Sequence, residues 1–475
     1  MKSITVMSLC SSYSDFQTYL ALALTLAAEG YEVRLLAPKK FESIAKEWNV
    51  QFVSVSDYGL SRNCYPQQQD EDSSKENDGE TNVVSTRFEI GCNDEKLDSI
   101  QLTTKIFLTE IQHYTPDLLI EGTMCEYYGL YAKYVLKILS MKIKLQEESL
   151  SINNLTLTMS SGKRFFQSYI SIYDNWVQHE DTVMYDLCSK RLCDIYSKED
   201  FISDSEKEIC GGDSDQVICQ SILCRILDPI SDIEFVGPLI VEDLKNLGSP
   251  CNQRVSNKKQ IEAFVSDCPG SKPICFCWDH TTHASYLFDP ITKFITSLVA
   301  IKERGIIIGD GISISNELLE THGLASYTAK NVLLIDVRRY AYEDLFSFMK
   351  CVIHQGDSGT TDSVILSGIP SIIIPTFPEQ LSNLHAICRL GVGCGVSVHF
   401  DQVTAAVFGD LIKAVVDNVK MKMLASRIGA KIRQENGSKG VIEKIKCFWD
   451  NNQDFVEAQH YKNVLKRSLR FLVSE

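Results

Sequence analysis

At 475 residues the chain exceeds the usual size of one domain, and its 44% hydrophobic and 23% charged content is that of an ordinary globular protein. A net charge of −15 excludes the basic footprint of a nucleic-acid binder and disfavours a polybasic membrane anchor, while leaving peripheral membrane contact open. Seventeen cysteines without one Cys-x-x-Cys pair, and nine scattered histidines, argue for reduced cytoplasmic thiols rather than zinc or a disulfide framework.

The opening Met1-Lys-Ser-Ile-Thr-Val-Met reads as a first strand over Ile4 to Met7, not as a secretory signal. No apolar run approaches the ~20 residues of a membrane-spanning helix. After Ser11-Ser-Tyr-Ser-Asp15, the leucine- and alanine-rich stretch from Phe16 to Glu29 predicts a helix packed on a sheet. Gly30 ends it, and Tyr31 to Ala37 predicts the second strand. Phe41 to Val55 continues the alternation with a helix and a strand.

Residues 67–81 carry almost no apolar side chain and predict a disordered surface insertion. A helical stretch returns over Ile100 to Ile111, and Asp117 to Gly122 predicts another parallel strand. Residues 123–230 show no readable period. Their aromatics, among them Tyr127, Tyr128, Tyr134 and Trp176, suit either core packing or an apolar acceptor pocket. The polar stretch from Glu242 to Lys259 predicts a linker.

A second alternating series then begins. Lys272 to Trp278 predicts a strand, Phe288 to Arg304 a helix, and Gly305 to Ile308 and Val332 to Ile335 two more strands. A helix around Tyr342 to Phe348 precedes the most informative segment, Cys351 to Gly393. There the strand residues Val352 and Ile353 end in His354, a small-residue turn follows, and Thr360 and Thr361 open a helix. Turn-plus-helix-start geometry presents backbone N–H groups and a positive dipole end to an anion such as phosphate. The next strand, Ser371 to Ile374, ends at Pro375, just before Glu379 and Gln380. Doubly wound sheets bind ligands at such strand ends. The architecture predicted is α/β, with two doubly wound Rossmann-like halves facing a cleft.

This run resembles the donor-sugar signature of GT-B glycosyltransferases, in the branch acting on sterols and on macrolide or glycopeptide antibiotics. The branch pattern is His-His-Gly-Gly-Ala-Gly-Thr-Thr, then Gly-Val-Pro, then Asp-Gln. His354, Gly356, Gly359, Thr360, Thr361, Gly368, Pro370 and Gln380 match, and Glu379 is a near match. Gln355, Asp357 and Ser358 depart from it. Near the N-terminus, Asp15, Gln17 and Tyr19 match the branch's Gly-Ser-Arg-Gly-Asp-Val-Gln-Pro-Tyr, whereas Ser11, Tyr13, Ser14 and Thr18 do not. Ile428 to Gly437 resembles the closing helix, and the resemblance covers roughly residues 1–60 and 233–445.

The resemblance implies an acceptor-binding domain over 1–232, a nucleotide-sugar domain over 233–445, and a helical tail over 446–475 that crosses back onto the first. It implies metal-independent, inverting transfer of a hexose from UDP-glucose to a lipophilic acceptor such as a sterol, with no cofactor beyond the sugar nucleotide. Asp15 would be the base; a cap for a helix starting at Phe16 is the structural alternative. His354, Gly356, Ser358, Gly359, Thr360 and Thr361 would hold the diphosphate, and Glu379 with Gln380 the sugar. His280, in a Trp278-Asp279-His280 run where the branch has Phe-Gly-Ser, and Tyr340, beside Arg338 and Arg339, would complete the donor site. A homologue that binds a sugar nucleotide or a partner protein without turnover is the other reading, and a sugar-nucleotide epimerase a third.

Overall fold

The computed structural model describes residues 2–55 except 11, 94–145 except 124, 216–224, 234–239, 252–278, 284–309, 314–336, 343–375, 380–396, 400 and 403–453. The aromatics between 146 and 215, the acidic stretch 67–81, and residues 454–475 lie outside them.

Two parallel sheets organise the chain. The first comprises β1 (Ser3–Met7), β2 (Glu32–Pro38), β3 (Gln51–Val55), β4 (Leu118–Glu121), β5 (Ser140–Lys144), β6 (Gln216–Ile218) and β7 (Glu234–Phe235), in the spatial order β3-β2-β1-β4-β5-β6-β7. The second comprises β8 (Ile274–Cys277), β9 (Gly305–Gly309), β10 (Val332–Asp336), β11 (Val352–His354), β12 (Ser371–Ile373) and β13 (Gly393–Gly395), in the order β10-β9-β8-β11-β12-β13. The strands read as apolar runs because helices cover both faces of such sheets.

In the first sheet Ile4, Val6, Leu118 and Ile120 face one core, into which the helix Tyr13–Ala28 sends Phe16, Leu20 and Leu24. Two stacked rings, Phe16 and Phe41 at 4.2 Å between centroids, close that core. The helix Gly437–Asn451 crosses back from the second half and adds Val441, Ile445, Phe448 and Trp449 to it. Trp449 lies 4.9 Å from the Tyr31 ring, and Lys446 reaches Glu29 at 2.8 Å.

Two stretches differ from the reading of the sequence, and one open alternative is decided. The predicted linker enters a helix at Asn252 that runs to Ser266. Among its described side chains only Ile261 is fully buried, so no apolar period announces it. The silent region 123–230 contributes β5 and β6, too short and too mixed with Lys142 and Lys144 to stand out. Tyr128 is fully buried, 5.0 Å from the Phe107 ring, and so is a core residue rather than pocket lining.

Strand order reverses between β1 and β4 in the first sheet and between β8 and β11 in the second. Each reversal opens a crevice at the carboxyl ends of its strands. Asp15 follows β1, and the turn after His354 follows β11, so each stands at the reversal of its own sheet.

Candidate donor and acceptor site

The site is built on two helix starts. The first helix begins at Tyr13, with Ser12 in extended geometry as its cap and its hydroxyl accepting from the Asp15 amide at 3.0 Å. Asp15 is therefore not the cap. Its carboxylate points across to the second half, where Oδ1 accepts a hydrogen bond from the Gly359 N–H at 3.1 Å. The two helices meet start to start. A Cβ on Gly359 would run into the Ser14 carbonyl, so glycine is what lets the backbones approach.

The second helix, Ser358–Ser367, follows β11 through the turn His354 to Asp357. Gly356 has φ +104°, a conformation L side chains rarely adopt, and a Cβ there would lie 2.8 Å from the Ile373 side chain. The first intrahelical bond runs from the Thr361 N–H to the Asp357 carbonyl at 2.8 Å. The amides of Ser358, Gly359 and Thr360 precede it and form the positive helix end.

His354 stands behind this turn, not at its mouth. Its ring is 1% exposed; Nδ1 accepts from the Gly356 N–H at 3.2 Å and Nε2 faces the Ser371 hydroxyl at 2.8 Å. With Nδ1 accepting, Nε2 carries the proton and donates to Ser371. In this structure the ring supports the turn and the neighbouring strand, where the sequence led to the expectation of direct phosphate contact. Strand alternation puts His354 on the same face as Val352 and its register partner Ser371 in the neighbouring strand. Burial lowers its pKa to about 3, so the ring is neutral at physiological pH.

A pH dependence of stability follows. The unfolded chain takes up this proton near pH 6.5, the folded chain only near pH 3. The contribution is complete above the unfolded value and is lost as pH falls through that window. Urea unfolding across the window is expected to show stability falling with pH in wild type, with a shallower fall in His354→Gln.

The hydroxyl of Thr361 donates back to the Asp357 carbonyl at 2.8 Å, and Ser358 Oγ lies 3.3 Å from the Asn383 amide nitrogen. Both belong to the wall of the turn. Gln380 is 2% exposed and opens the helix Gln380–Leu390; its amide donates to Asp357 Oδ1 at 2.9 Å. Asp357, the residue that departs most in charge from the branch pattern, thereby turns its carboxylate towards Gln380 and makes no side-chain cap on its own helix. Trp278 is buried and stacks on Phe276 at 5.1 Å. His280, Tyr340 and Glu379 lie outside the described residues.

Sequence reading missed Ser371, Asn383 and Gln220. Asn383 carried a signal, lying one turn beyond Gln380 on the same helix. Its amide donates to the Gly356 carbonyl at 2.8 Å. Gln220 carried none, because nothing in residues 123–230 marked its place.

The two sheets and their strand ends define a GT-B fold, with the candidate site drawn from both halves. Residues 322–446 match the family described as erythromycin biosynthesis protein CIII-like, C-terminal domain. The chain is similar to a sterol 3-beta-glucosyltransferase of Leptosphaeria maculans, 31% identical over 112 residues, which are 24% of this chain and 7% of that protein. A sterol 3-beta-glucosyltransferase of Komagataella phaffii is 32% identical over 105 residues, 22% of this chain and 8% of its own. The matched segment thus spans less than a tenth of the length of these relatives.

Among solved structures, the spinosyn rhamnosyltransferase SpnG with spinosyn aglycone aligns over 94% of this chain and 100% of its own, at TM-score 0.58 and 12% identity. The calicheamicin glycosyltransferase CalG4 aligns over 95% and 98%, at TM-score 0.55 and 12% identity. SpnG has also been solved with thymidine diphosphate. These likenesses establish the fold, and the family match over residues 322–446 includes the turn after His354.

Proposed function

We propose that this chain is an inverting glycosyltransferase that moves a sugar from a nucleoside diphosphate to a hydroxyl of a lipophilic acceptor. A hexose from UDP-glucose and a sterol-like alcohol are the first candidates. One observation carries this reading: Asp15, on the first half, lies 3.1 Å from the Gly359 amide of the helix start on the second. A carboxylate and an anion-binding helix end so close together suit a reaction in which one deprotonates an acceptor and the other receives a leaving diphosphate.

In the proposed step the acceptor O–H gives its proton to Asp15 while its oxygen attacks the anomeric carbon. The bond from that carbon to the phosphate oxygen breaks, and the diphosphate leaves with the electron pair. The amides of Ser358 to Thr360 would stabilise the growing negative charge without a metal, as oriented N–H groups at a helix start do. His354 would hold the turn through Gly356, and Gln380 with Glu379 would orient the sugar.

The nearness of two carboxylates, Asp15 and Asp357, to the same turn favours one rival, a homologue that binds without turnover. Calorimetric titration with UDP and TDP, followed by product analysis with UDP-glucose and a sterol panel, separates the two. Micromolar diphosphate binding with glycoside formation is the expected result. Binding without any glycoside would favour the rival, and binding of neither diphosphate would sink the donor site itself.

A further inference from the structure

The donor turn is gripped at a second point by the first half of the chain. Asn383 lies beneath the turn, 1% exposed, and its side chain nitrogen donates to the Gly356 carbonyl at 2.8 Å. A carbonyl only accepts, so the group of Asn383 that faces it must be the NH₂. Its oxygen Oδ1 therefore faces away, and there it meets Gln220 Nε2 at 2.9 Å. By the same logic Gln220 must present its NH₂. The two amide orientations are locked in series from one backbone carbonyl.

Gln220 follows β6 of the first sheet, and its own backbone is fixed there, its carbonyl accepting from the Gly237 N–H at 3.0 Å. It is 2% exposed. The residues after it form a strap that crosses to the second half. Ser221 donates to Glu435 at 2.7 Å, Arg389 donates to the Leu223 carbonyl at 2.7 Å, and Cys224 is buried among Ile365, Leu384 and Ile387.

We propose that Gln220 is a positioning residue of the donor site, supplied by the acceptor-side half, which sets the shape of the anion-binding turn through Asn383. This rests on the donor-site reading above. Gln220 does not touch the turn itself. It holds Asn383 from behind through Oδ1; without it Asn383 loses that partner, is held less firmly against the Gly356 carbonyl, and the brace on the turn weakens. Because Gln220 and Asn383 belong to different halves, this brace is complete only when the halves are together. Diphosphate affinity thereby depends on a residue of the opposite half.

The test is calorimetric titration of UDP and TDP into wild type, Gln220→Met, Asn383→Leu, the double variant and Arg389→Met. Gln220→Met keeps the stem and removes only the amide. The loss of a buried hydrogen bond that orients a second is expected to weaken diphosphate binding about tenfold, and Asn383→Leu at least as much. If the effect passes through Asn383, the double variant binds within about twofold of Asn383→Leu alone. Arg389→Met loosens the strap without touching the relay and is expected to leave affinity within about twofold of wild type. Additive losses in the double variant, an unchanged Gln220→Met, or an equal loss in Arg389→Met would each overturn the relay while leaving the donor site standing. A wild type that binds neither diphosphate overturns both.

Discussion

Asp15→Asn is expected to lose sugar transfer by about a thousandfold, the scale of a missing general base, with its fold intact. The asparagine keeps an oxygen for the Gly359 N–H, so the contact between the two helix starts survives while the proton acceptor does not. Free UDP is expected to bind several-fold tighter to this variant. In the wild type the carboxylate accepts from one of the helix-start amides that a phosphate would use, and it repels that phosphate as well. Removing the charge and keeping the shape ends the repulsion. Steady-state transfer assays and calorimetry on one preparation read both effects. A variant that transfers within tenfold of wild type would remove Asp15 from the chemistry; one that binds UDP more weakly would show that the carboxylate does not compete with phosphate.

Gly359→Ala is expected to split local from interdomain stability. Within its own helix the exchange is favourable by less than the ~1 kcal/mol of a helix interior, because alanine is the better helix former but Gly359 stands in the first turn. Across the interface it is not, since the new methyl meets the Ser14 carbonyl, a backbone atom that cannot rotate away. The halves must separate locally, which carries Asp15 off the donor turn and breaks its 3.1 Å bond. Transfer is expected to fall at least a hundredfold, as a misplacement near 1 Å costs in other sites. Thermal unfolding of the second half is expected to shift little. Small-angle scattering and transfer rates distinguish this from general destabilisation. Wild-type transfer by Gly359→Ala would show that the close approach of the two helix starts is not needed.

Much of the architecture was legible because parallel α/β units repeat short signals that local chemistry imposes. The strands Ser3–Met7 and Val352–His354 are buried throughout, which is why Ile4, Val6, Met7, Val352 and Ile353 are apolar. Gly30 must end a helix, and a turn such as Gly356 must tolerate positive φ. The helix start after His354 was readable for the same reason. Where a helix is seated by few residues, as Ile261, Phe264 and Val265 seat Asn252–Ser266, or where strands are short and charged, as β5 is, there was little period to find.

Side-chain direction was another matter. Sequence identified His354 as part of the turn, yet whether its ring faced the cleft or the layer behind depended on strand alternation and on Ser371, which belongs to the neighbouring strand. It identified Asp15 but left capping and chemistry open; the structure gave the cap to Ser12 and turned Asp15 towards Gly359. It could not reach the relay from Gln220 to Asn383, whose members are 163 positions apart. The sequence by itself determined two doubly wound halves and a helix start suited to an anion, because those follow from local backbone geometry and periodic burial. Only the tertiary structure decided which side chains meet at that helix start, because contacts between halves depend on how the two sheets dock, and no local pattern encodes that.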